Sequence, residues 1–272
     1  QSRTTSAFVR VDEGGTLTVK AGTVVRNMRV GGSGQTFVWS FARAGSVNTV
    51  NVEDVTVQDC QAYVTSNNET NGGSIFAMYG AGGESVLNIE NGTFVNNQAR
   101  LVYVQGNAKH TVNVRNCTFS GNSVKGAGAI FLMDQTNAGN ATTLNVYGGT
   151  FTDNHCLLTS PSYSAGAIAR IKSSGSFHLY GGTFEGNTSA AGDAYNGIYL
   201  RDVSNKIGST VYLHTMTCDM PVYYYPCSKK IFNSRIITDK ALSHTLSVYF
   251  TDKNVVDGMA IVAGTEDYAL TE

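Results

Sequence analysis

The chain has 272 residues, a formal net charge of −1 and charged side chains at only 14% of its positions. Such a chain lacks the basic surplus that nucleic acid or an anionic membrane surface would attract, so we expect neither as a partner. Hydrophobic residues make up 42%, including 14 tyrosines and 12 phenylalanines, which is sufficient for a folded core. No apolar run approaches the roughly 20 residues of a membrane span, so we expect no direct membrane insertion.

One motif recurs along the chain. Four copies superpose without gaps, at 87–97, 112–122, 144–154 and 177–187; weaker copies lie at 17–27 and 50–60, and a degenerate one at 211–219. Each of the four alternates apolar and polar residues, passes two turn residues, and closes with Thr-Phe, two further residues and Asn. Alternation with a period of two residues is typical of β-strands, so each copy predicts two short strands joined by a tight bend.

A shorter apolar element precedes several copies, at 73–76, 128–131, 166–169 and 197–199. The repeat is therefore a short strand, a variable loop, a second strand, a glycine-rich bend and a third strand. Strands this short bury an apolar face only when equivalent strands stack about 4.8 Å apart. Residues 1–219 are thus predicted to form an all-β, right-handed parallel β-helix of about 7–9 rungs. Residues 220–272 are predicted to be divergent last rungs and a capping segment that covers the open end.

Stacking places equivalent residues above one another. The predicted structural stack comprises Phe94, Phe119, Phe151 and Phe184, continued by Val24, Val57 and Met216. The predicted structural ladder comprises Asn27, Asn97, Asn122, Asn154 and Asn187, with Cys60 interrupting it. Asparagine amides can bond from rung to rung, and asparagine tolerates the left-handed backbone of sharp bends. Both sets are interpreted as architecture.

The five cysteines are Cys60, Cys117, Cys156, Cys218 and Cys227. None forms a Cys-x-x-Cys pair and the histidines are scattered, so we expect no structural metal site. Cys218 and Cys227 flank a short tyrosine-rich segment and are a candidate disulfide. The other three are interpreted as small buried hydrophobic residues.

Phe-x-x-Asn stands intact at 94–97, 119–122, 151–154 and 184–187, and alternates with Gly-Gly-Ala-Ile-like segments at 72–75, 127–130 and 165–168. Over about residues 14–219, this alternation resembles the passenger domains of the chlamydial polymorphic outer membrane proteins and similar repeat-bearing bacterial surface proteins. The resemblance implies a secreted, surface-displayed adhesin linked to virulence, without enzymatic activity or cofactor. Because the chain begins without Met at Gln1 and stops at Glu272 with no obvious terminal element, we expect a fragment of a larger protein, with its anchor outside this segment. Its partners would be a protein or glycan of a host or neighbouring cell, and adjacent domains of the same chain.

Two outer faces differ in composition. The second strands present Asn88, Asn113, Asn145 and His178 outward, a polar and solvated face. With Ile75, Val102, Ile130, Ile168 and Ile198 inward, the first strands present a candidate ligand-binding aromatic stripe: Trp39, Phe76, Tyr103, Phe131 and Tyr199. Such a stripe is either a docking surface or is covered by other parts of the protein. A register error of one residue would reverse the faces, and the inward position that this register gives Arg170 points to one.

The alternative function is that of a polysaccharide lyase or glycoside hydrolase, since β-helices often carry such activities. Glycoside hydrolysis needs paired carboxylates across a groove, and acidic residues are sparse here. The best cluster is Asp134, Lys172 and Asp202 at the ends of first strands, and we interpret these residues as solvated strand ends. The sequence therefore favours a non-catalytic protein.

Overall fold

The computed structural model describes residues 7–31, 35–62, 73–125, 130–134, 141–159, 166–172, 174–201, 208–215, 217–225, 235–239, 243, 246–250 and 260–263. These residues form β-strands joined by tight bends, with one short 3-10 turn at Asp193–Tyr195. All pairings between the strands are parallel, and each strand pairs with its equivalent one repeat away. The predicted all-β parallel β-helix is confirmed.

Two strand positions run along the described part of the coil. The first strands are β1 (Val9–Asp12), β5 (Val38–Arg43), the first part of β9 (Ser74–Glu90), β11 (Arg100–Val104), β15 (Phe131–Met133), β19 (Ala169–Lys172), β23 (Ile198–Arg201), β25 (Val222–Tyr225) and β27 (Val248–Phe250). The second strands are β2 (Thr16–Val19), β6 (Val47–Glu53), the second part of β9, β12 (Asn107–Arg115), β16 (Thr142–Val146), β20 (Gly175–Leu179), β24 (Thr210–Leu213), β26 (Arg235–Thr238) and β28 (Ala260–Ala263). We call the two stacks the first sheet and the second sheet.

Two shorter strand positions complete most rungs. The third strands are β3 (Val24–Arg26), β7 (Thr56–Gln58), β10 (Thr93–Val95), β13 (Cys117–Ser120), β17 (Gly149–Thr152) and β21 (Thr183–Glu185). The fourth strands, which the sequence did not predict, are β4 (Arg29–Val30), β8 (Gln61–Ala62), β14 (Ser123–Val124), β18 (His155–Cys156) and β22 (Thr188–Ser189). They directly follow the ladder position and turn the chain back toward the next first strand.

The C-terminal segment continues the coil. β25 pairs with β23 and β27, and β26 pairs with β24 and β28, so both sheets cross residue 219 without a change of direction. Among the described residues that follow β22, the coil has no third or fourth strand. The predicted capping role falls mainly on residues outside the described part and stays a prediction.

The core lies inside the coil and is built from columns of equivalent side chains. In β6, burial alternates strictly along the strand, as period-two patterning requires. The phenylalanine stack is one such column: the ring centroids are 5.0 Å apart for Phe94 and Phe119, 4.6 Å for Phe119 and Phe151, and 4.7 Å for Phe151 and Phe184, with the planes 10–15° apart. Each of these rings is nearly or fully buried. Stacked rings therefore fill the corner beneath the third strands.

The bend after each third strand places one residue in the left-handed backbone region. The equivalent residues have φ between 53° and 65° and are Asn27, Asp59, Asn96, Gly121, Asp153 and Gly186. Asparagine, aspartate and glycine are the residues that adopt this conformation at least cost. At Gly121, a Cβ atom would lie 2.6 Å from the Asn96 side-chain oxygen, so a side chain at this position would displace the Asn96 amide.

The prediction that Asn27 belongs to the structural ladder is wrong. Val19 pairs with Val52 and Val25 with Val57, so the first rung has one extra residue in the bend between its second and third strands. Gly22, with a φ of 82°, lies in that longer bend. Asn27 therefore occupies the left-handed position. For the same reason the stack continues through the buried Val25, while Val24 is 56% exposed.

Candidate functional site

The inner asparagine ladder extends from Asn97 to Asn187 at the bend between the third and fourth strands. Each side-chain amide donates to the Oδ1 of the next asparagine, at 2.9 Å from Asn97 to Asn122, 2.9 Å from Asn122 to Asn154 and 2.8 Å from Asn154 to Asn187. The same nitrogens also donate to backbone carbonyls on the preceding rung, such as Phe94 O. Cys60 interrupts the ladder, and its backbone N–H donates to Asn97 Oδ1. Both N–H groups of Asn97, Asn122 and Asn154 are therefore used in bonds that hold rungs together.

Two members of the predicted aromatic stripe are in the core, so their assignment to an outward face is wrong. Val38 pairs with Phe76, Phe76 with Val102, and Val102 with Phe131, which places these residues in one inward column. Phe131 also makes an edge-to-face contact with the stacked Phe119, at 5.7 Å between centroids. The cause is a one-residue register error at 75–76 and 130–131. Both positions of each apolar pair are buried, so the sequence pattern alone leaves the register open.

The other members, Trp39, Tyr103 and Tyr199, share the outward column of the first sheet. They are not an exposed stripe, because Tyr103 is 3% and Tyr199 0% exposed while Trp39 is half-buried. Tyr199 packs with Tyr195 of the 3-10 turn and with Tyr223. Arg170 lies in this same outward column, between Leu132 and Tyr199, which removes the difficulty of an inward arginine.

The remaining predicted groups are placed as follows. Lys172 Nζ lies 2.7 Å from Asp134 Oδ1, so these two side chains form an ion pair with little solvent exposure. This finding corrects their interpretation as solvated strand ends, while Asp202 lies outside the described residues. Cys60, Cys117, Cys156 and Cys218 are buried. Cys227 lies outside the described residues, so its disulfide with Cys218 stays a prediction.

The outer face of the second sheet carries a second asparagine ladder. The side-chain nitrogens of Asn88, Asn113 and Asn145 donate to the Oδ1 atoms of Asn51, Asn88 and Asn113 respectively, each at 2.8 Å. These asparagines are only half-buried, so they remain open to solvent along one side. Alternation in the second strands directs them outward because their neighbours on both sides, such as Val112 and Val114, are in the core.

A second column runs beside this ladder, one residue beyond the last inward position of each second strand. Its members are Lys20, Glu53, Glu90, Arg115, Tyr147, Tyr180, His214 and Asp239. Glu53, Glu90 and Arg115 border a shallow depression of about 200 Å³, whose walls also include Asn51, Asn88 and Asn113. The depression is therefore lined by carboxylates, amides and one guanidinium.

Aromatic rings continue the column toward the C-terminus. The Arg115 guanidinium lies 3.6 Å from the centre of the Tyr147 ring, Tyr147 stacks on Tyr180 at 4.6 Å, and Tyr180 stacks on His214 at 4.3 Å. The ring planes are 13–14° apart, so the faces of Tyr180 are covered by its two neighbours. Its accessible part is consequently the ring edge with the hydroxyl, although Tyr180 is 40% exposed.

Two histidines and an aspartate form a hydrogen-bond chain at this end of the face. His214 Nδ1 lies 2.6 Å from Asp239 Oδ2, and His178 Nδ1 lies 3.1 Å from His214 Nε2. His178 also stacks on Tyr212 at 4.2 Å. Partial burial, and secondarily the neighbouring His214, lower the pKa of His178. The neutral form of His178 is thereby favoured, and it can donate to His214 while His214 donates to Asp239.

Comparisons with protein families, with curated proteins and with solved structures find no match. Within the described part of the chain, no helix is long and apolar enough to cross a membrane. The same residues contain no group of three or more His, Cys, Asp or Glu side chains arranged to hold a metal ion.

Sequence reasoning placed Asn88, Asn113, Asn145 and His178 on the second-sheet face but missed the column beside them. The signal was available in the aligned copies. The residue before the bend reads Glu90, Arg115, Tyr147 and Tyr180 in the four strong copies. This position varies in chemistry while its inward neighbours stay apolar, which is the pattern of an outward position available for recognition.

Proposed function

We propose that this chain is the binding domain of a bacterial cell-surface adhesin, displayed outside the cell, and that it works without catalysis. We further propose that the outer face of the second sheet binds a neutral glycan that lies along the coil axis. The observation that carries the proposal is the regular array on this face, in which amides, carboxylates, a guanidinium and tyrosine edges recur from rung to rung.

The outer asparagine ladder has hydrogen-bonding capacity to spare. A carboxamide offers two N–H donors and two acceptor lone pairs, and Asn88 and Asn113 each use one donor and one acceptor within the ladder. One donor and one lone pair per rung therefore remain for a ligand. Rungs recur about every 4.8 Å, a spacing similar to that of successive sugar units in an extended glycan. A chain of hydroxyl-bearing units can consequently repeat the same contacts along the face.

The depression at the N-terminal end of the face favours a neutral ligand. Glu53 and Glu90 are paired on adjacent rungs, and Arg115 follows on the next one, so carboxylates outnumber cations along its rim. With Lys20 and Arg115 on either side, Glu53 and Glu90 leave this end of the column without a net charge that would attract an anionic polymer, and carboxylates accept hydrogen bonds from pairs of sugar hydroxyls. A volume of about 200 Å³ is small for an enclosed ligand site, so it fits one unit of a longer chain.

The test is binding of the full chain to an array of neutral and acidic glycans, compared with a triple variant, Glu53→Gln, Glu90→Gln and Arg115→Ala. We expect binding to extended neutral glycans and at least a tenfold loss in the variant. The matched control is Glu185→Gln, which removes an exposed carboxylate from the third-strand face. Equal binding by all three proteins, or binding to a host protein without any glycan binding, would contradict the proposal.

A second candidate function is glycoside hydrolysis, which one observation favours. Glu53 and Glu90 are register partners on adjacent strands. Their backbones lie about 4.8 Å apart, close to the roughly 5 Å separation of the carboxyl groups in retaining glycosidases. The adhesin proposal predicts no release of reducing or unsaturated ends from any polysaccharide. Release by the wild type that is lost in Glu53→Gln and in Glu90→Gln, but not in Glu185→Gln, would establish the enzyme instead.

A further inference from the structure

Two imidazole nitrogens lie side by side at the C-terminal end of the outer face of the second sheet. His178 Nδ1 and His214 Nε2 are 3.1 Å apart, although the two residues are 36 positions apart in the chain. The stacking of adjacent rungs brings them together, so no local sequence motif marks the pair. Two imidazoles bound to one tetrahedral Zn²⁺ at about 2.0–2.1 Å have their nitrogens about 3.3 Å apart. The observed separation is therefore within a few tenths of an ångström of that in a two-histidine zinc site.

Asp239 orients the second of these imidazoles. Its Oδ2 lies 2.6 Å from His214 Nδ1, on the far side of the ring from His178. A histidine that binds a metal almost always donates its other ring N–H to a carboxylate or a carbonyl, and this partner determines which nitrogen keeps the lone pair. With Asp239 as acceptor, His214 Nδ1 carries the proton and Nε2 is the nitrogen available as a ligand. The carboxylate thus supplies the support that a metal-binding histidine needs.

Ring stacking holds both imidazoles in place. His178 stacks on Tyr212 at 4.2 Å between ring centres, and His214 stacks on Tyr180 at 4.3 Å, with the planes 11° and 14° apart. The planes of the two imidazoles are themselves only 12° apart. Both histidines are half-buried on a solvated face, so a hydrated ion can reach them. Because the ligands are already oriented, binding an ion would cost little conformational entropy.

On the neighbouring rungs, the same two columns carry other residues. The rung before His178 has Asn145 at the equivalent position, and the rung after it has Tyr212. The rung before His214 has Tyr180 at the equivalent position. The pair of histidines is therefore confined to one place on the face. The preceding rung also shows which side chains the coil accepts at each of the two positions.

We propose that His178 and His214 bind a Zn²⁺ ion, with Asp239 as the carboxylate that positions His214. On binding, His178 coordinates through Nδ1 and keeps its proton on Nε2, so its hydrogen bond to His214 is exchanged for two metal–nitrogen bonds. Two protein ligands leave the other positions of a tetrahedral ion to water, unlike a closed structural site with four protein ligands. Imidazoles favour zinc over magnesium and calcium, which prefer oxygen ligands. The site does not depend on the glycan binding proposed above.

Calorimetric titration with zinc chloride in a chelator-free buffer measures the affinity. We expect saturable binding of zinc and no binding heat with magnesium or calcium chloride. His178→Asn and His214→Tyr introduce the residues of the preceding rung, so the coil keeps its packing, and each is expected to weaken zinc binding at least tenfold. Asp239→Asn is expected to weaken it about tenfold, because such a partner typically accounts for roughly 10–100-fold of metal affinity. The matched control His155→Asn alters a histidine of the fourth strands and is expected to bind as the wild type does.

Nuclear magnetic resonance of the imidazoles adds a local readout that needs no variant and that a merely structural role would not change. In the wild type, zinc is expected to shift the ring signals of His178 and His214 and to leave those of His155 in place. No binding of millimolar zinc, unshifted signals of both residues, or zinc binding by His178→Asn and His214→Tyr equal to that of the wild type would each overturn the proposal.

The site is separable from the depression at the N-terminal end of the same face. The triple variant Glu53→Gln, Glu90→Gln and Arg115→Ala is expected to bind zinc as the wild type does, whether or not it has lost a glycan. Conversely, a wild type that binds no glycan but still binds zinc through His178 and His214 would contradict the proposed function and support this site. The two proposals can therefore fail independently.

Discussion

Replacing Asn122 by leucine tests whether the inner asparagine ladder holds the rungs together. The Asn122 side chain makes four hydrogen bonds: its nitrogen donates to Phe94 O and to Asn154 Oδ1, both at 2.9 Å, and its oxygen accepts from the backbone and side-chain nitrogens of Asn97, at 3.1 and 2.9 Å. Asn122 is 5% exposed. Leucine has nearly the same size and removes all four bonds without opening a cavity.

The expected loss follows from these contacts. At about 1 kcal/mol net for each hydrogen bond, four bonds contribute about 4 kcal/mol to stability. Burying the leucine side chain returns about 1–2 kcal/mol, since the position is already enclosed. We therefore expect the free energy of unfolding to fall by about 2–3 kcal/mol. The matched control is Asn113→Leu, in the same repeat but on the outer ladder, where two half-exposed hydrogen bonds predict a loss of about 1 kcal/mol or less.

Urea unfolding followed by circular dichroism measures both losses. Because a solenoid can unfold in parts, hydrogen exchange at the Asn97 amide adds a local readout. That amide donates to Asn122 Oδ1. Its protection is expected to drop in Asn122→Leu and to stay unchanged in Asn113→Leu. If Asn122→Leu were no more costly than Asn113→Leu, the inner ladder would not have the structural role argued for it.

Three further outcomes are expected. Cys60→Asn extends the inner ladder by one rung. It is expected to raise the free energy of unfolding, measured in urea, by about 1 kcal/mol. A loss of stability would contradict the alignment of Cys60 with Asn97. Phe131→Ala is expected to cost about 3–5 kcal/mol in the same assay, because its ring is fully buried; a cost under 1 kcal/mol would restore Phe131 to an outer face. Burial lowers the pKa of His110 from 6.5 to about 4, so the folded state disfavours the protonated imidazole. The free energy of unfolding is therefore fully retained above pH 6.5 and falls by about 3 kcal/mol as the pH drops toward 4. In urea titrations at several pH values, His110→Asn is expected to reduce this dependence of stability on pH and His155→Asn to leave it unchanged; the same dependence in both variants would show that His110 is not its source.

The sequence alone predicted the architecture correctly wherever a strand with alternating polarity is followed by a bend of constant length. Leu87 and Ile89 are buried on either side of Asn88, and the bend that follows has the same length in the four strong copies, so the phenylalanines fall into one column. The same reasoning failed in the first rung, because one additional residue in the bend near Gly22 shifts the alignment of the residues that follow by one position.

The first sheet could not be assigned from sequence for a different reason. In β11, every residue from Arg100 to Val104 is buried, inward and outward positions alike. Period-two patterning identifies a face only when the other face is solvated, and here both are covered. Distinguishing Phe76 from Tyr103 requires the pairing register, which depends on contacts between rungs and not on the local pattern. The aromatic stripe was therefore a mixture of two columns.

The two outer faces differ because the architecture constrains only the inward columns and the bends. A rung needs apolar residues inside, a left-handed residue at each bend and an amide in the ladder, but it accepts any side chain that points outward. On the second sheet these positions carry Glu53, Glu90 and the outer asparagines, and on the first sheet they carry Trp39, Tyr103 and Arg170. One coil therefore presents a solvated face of amides and charged groups on the second sheet and a covered face of aromatic and cationic side chains on the first. The chemistry of either face can change from rung to rung without any change to the inward columns and bends that hold the rungs together.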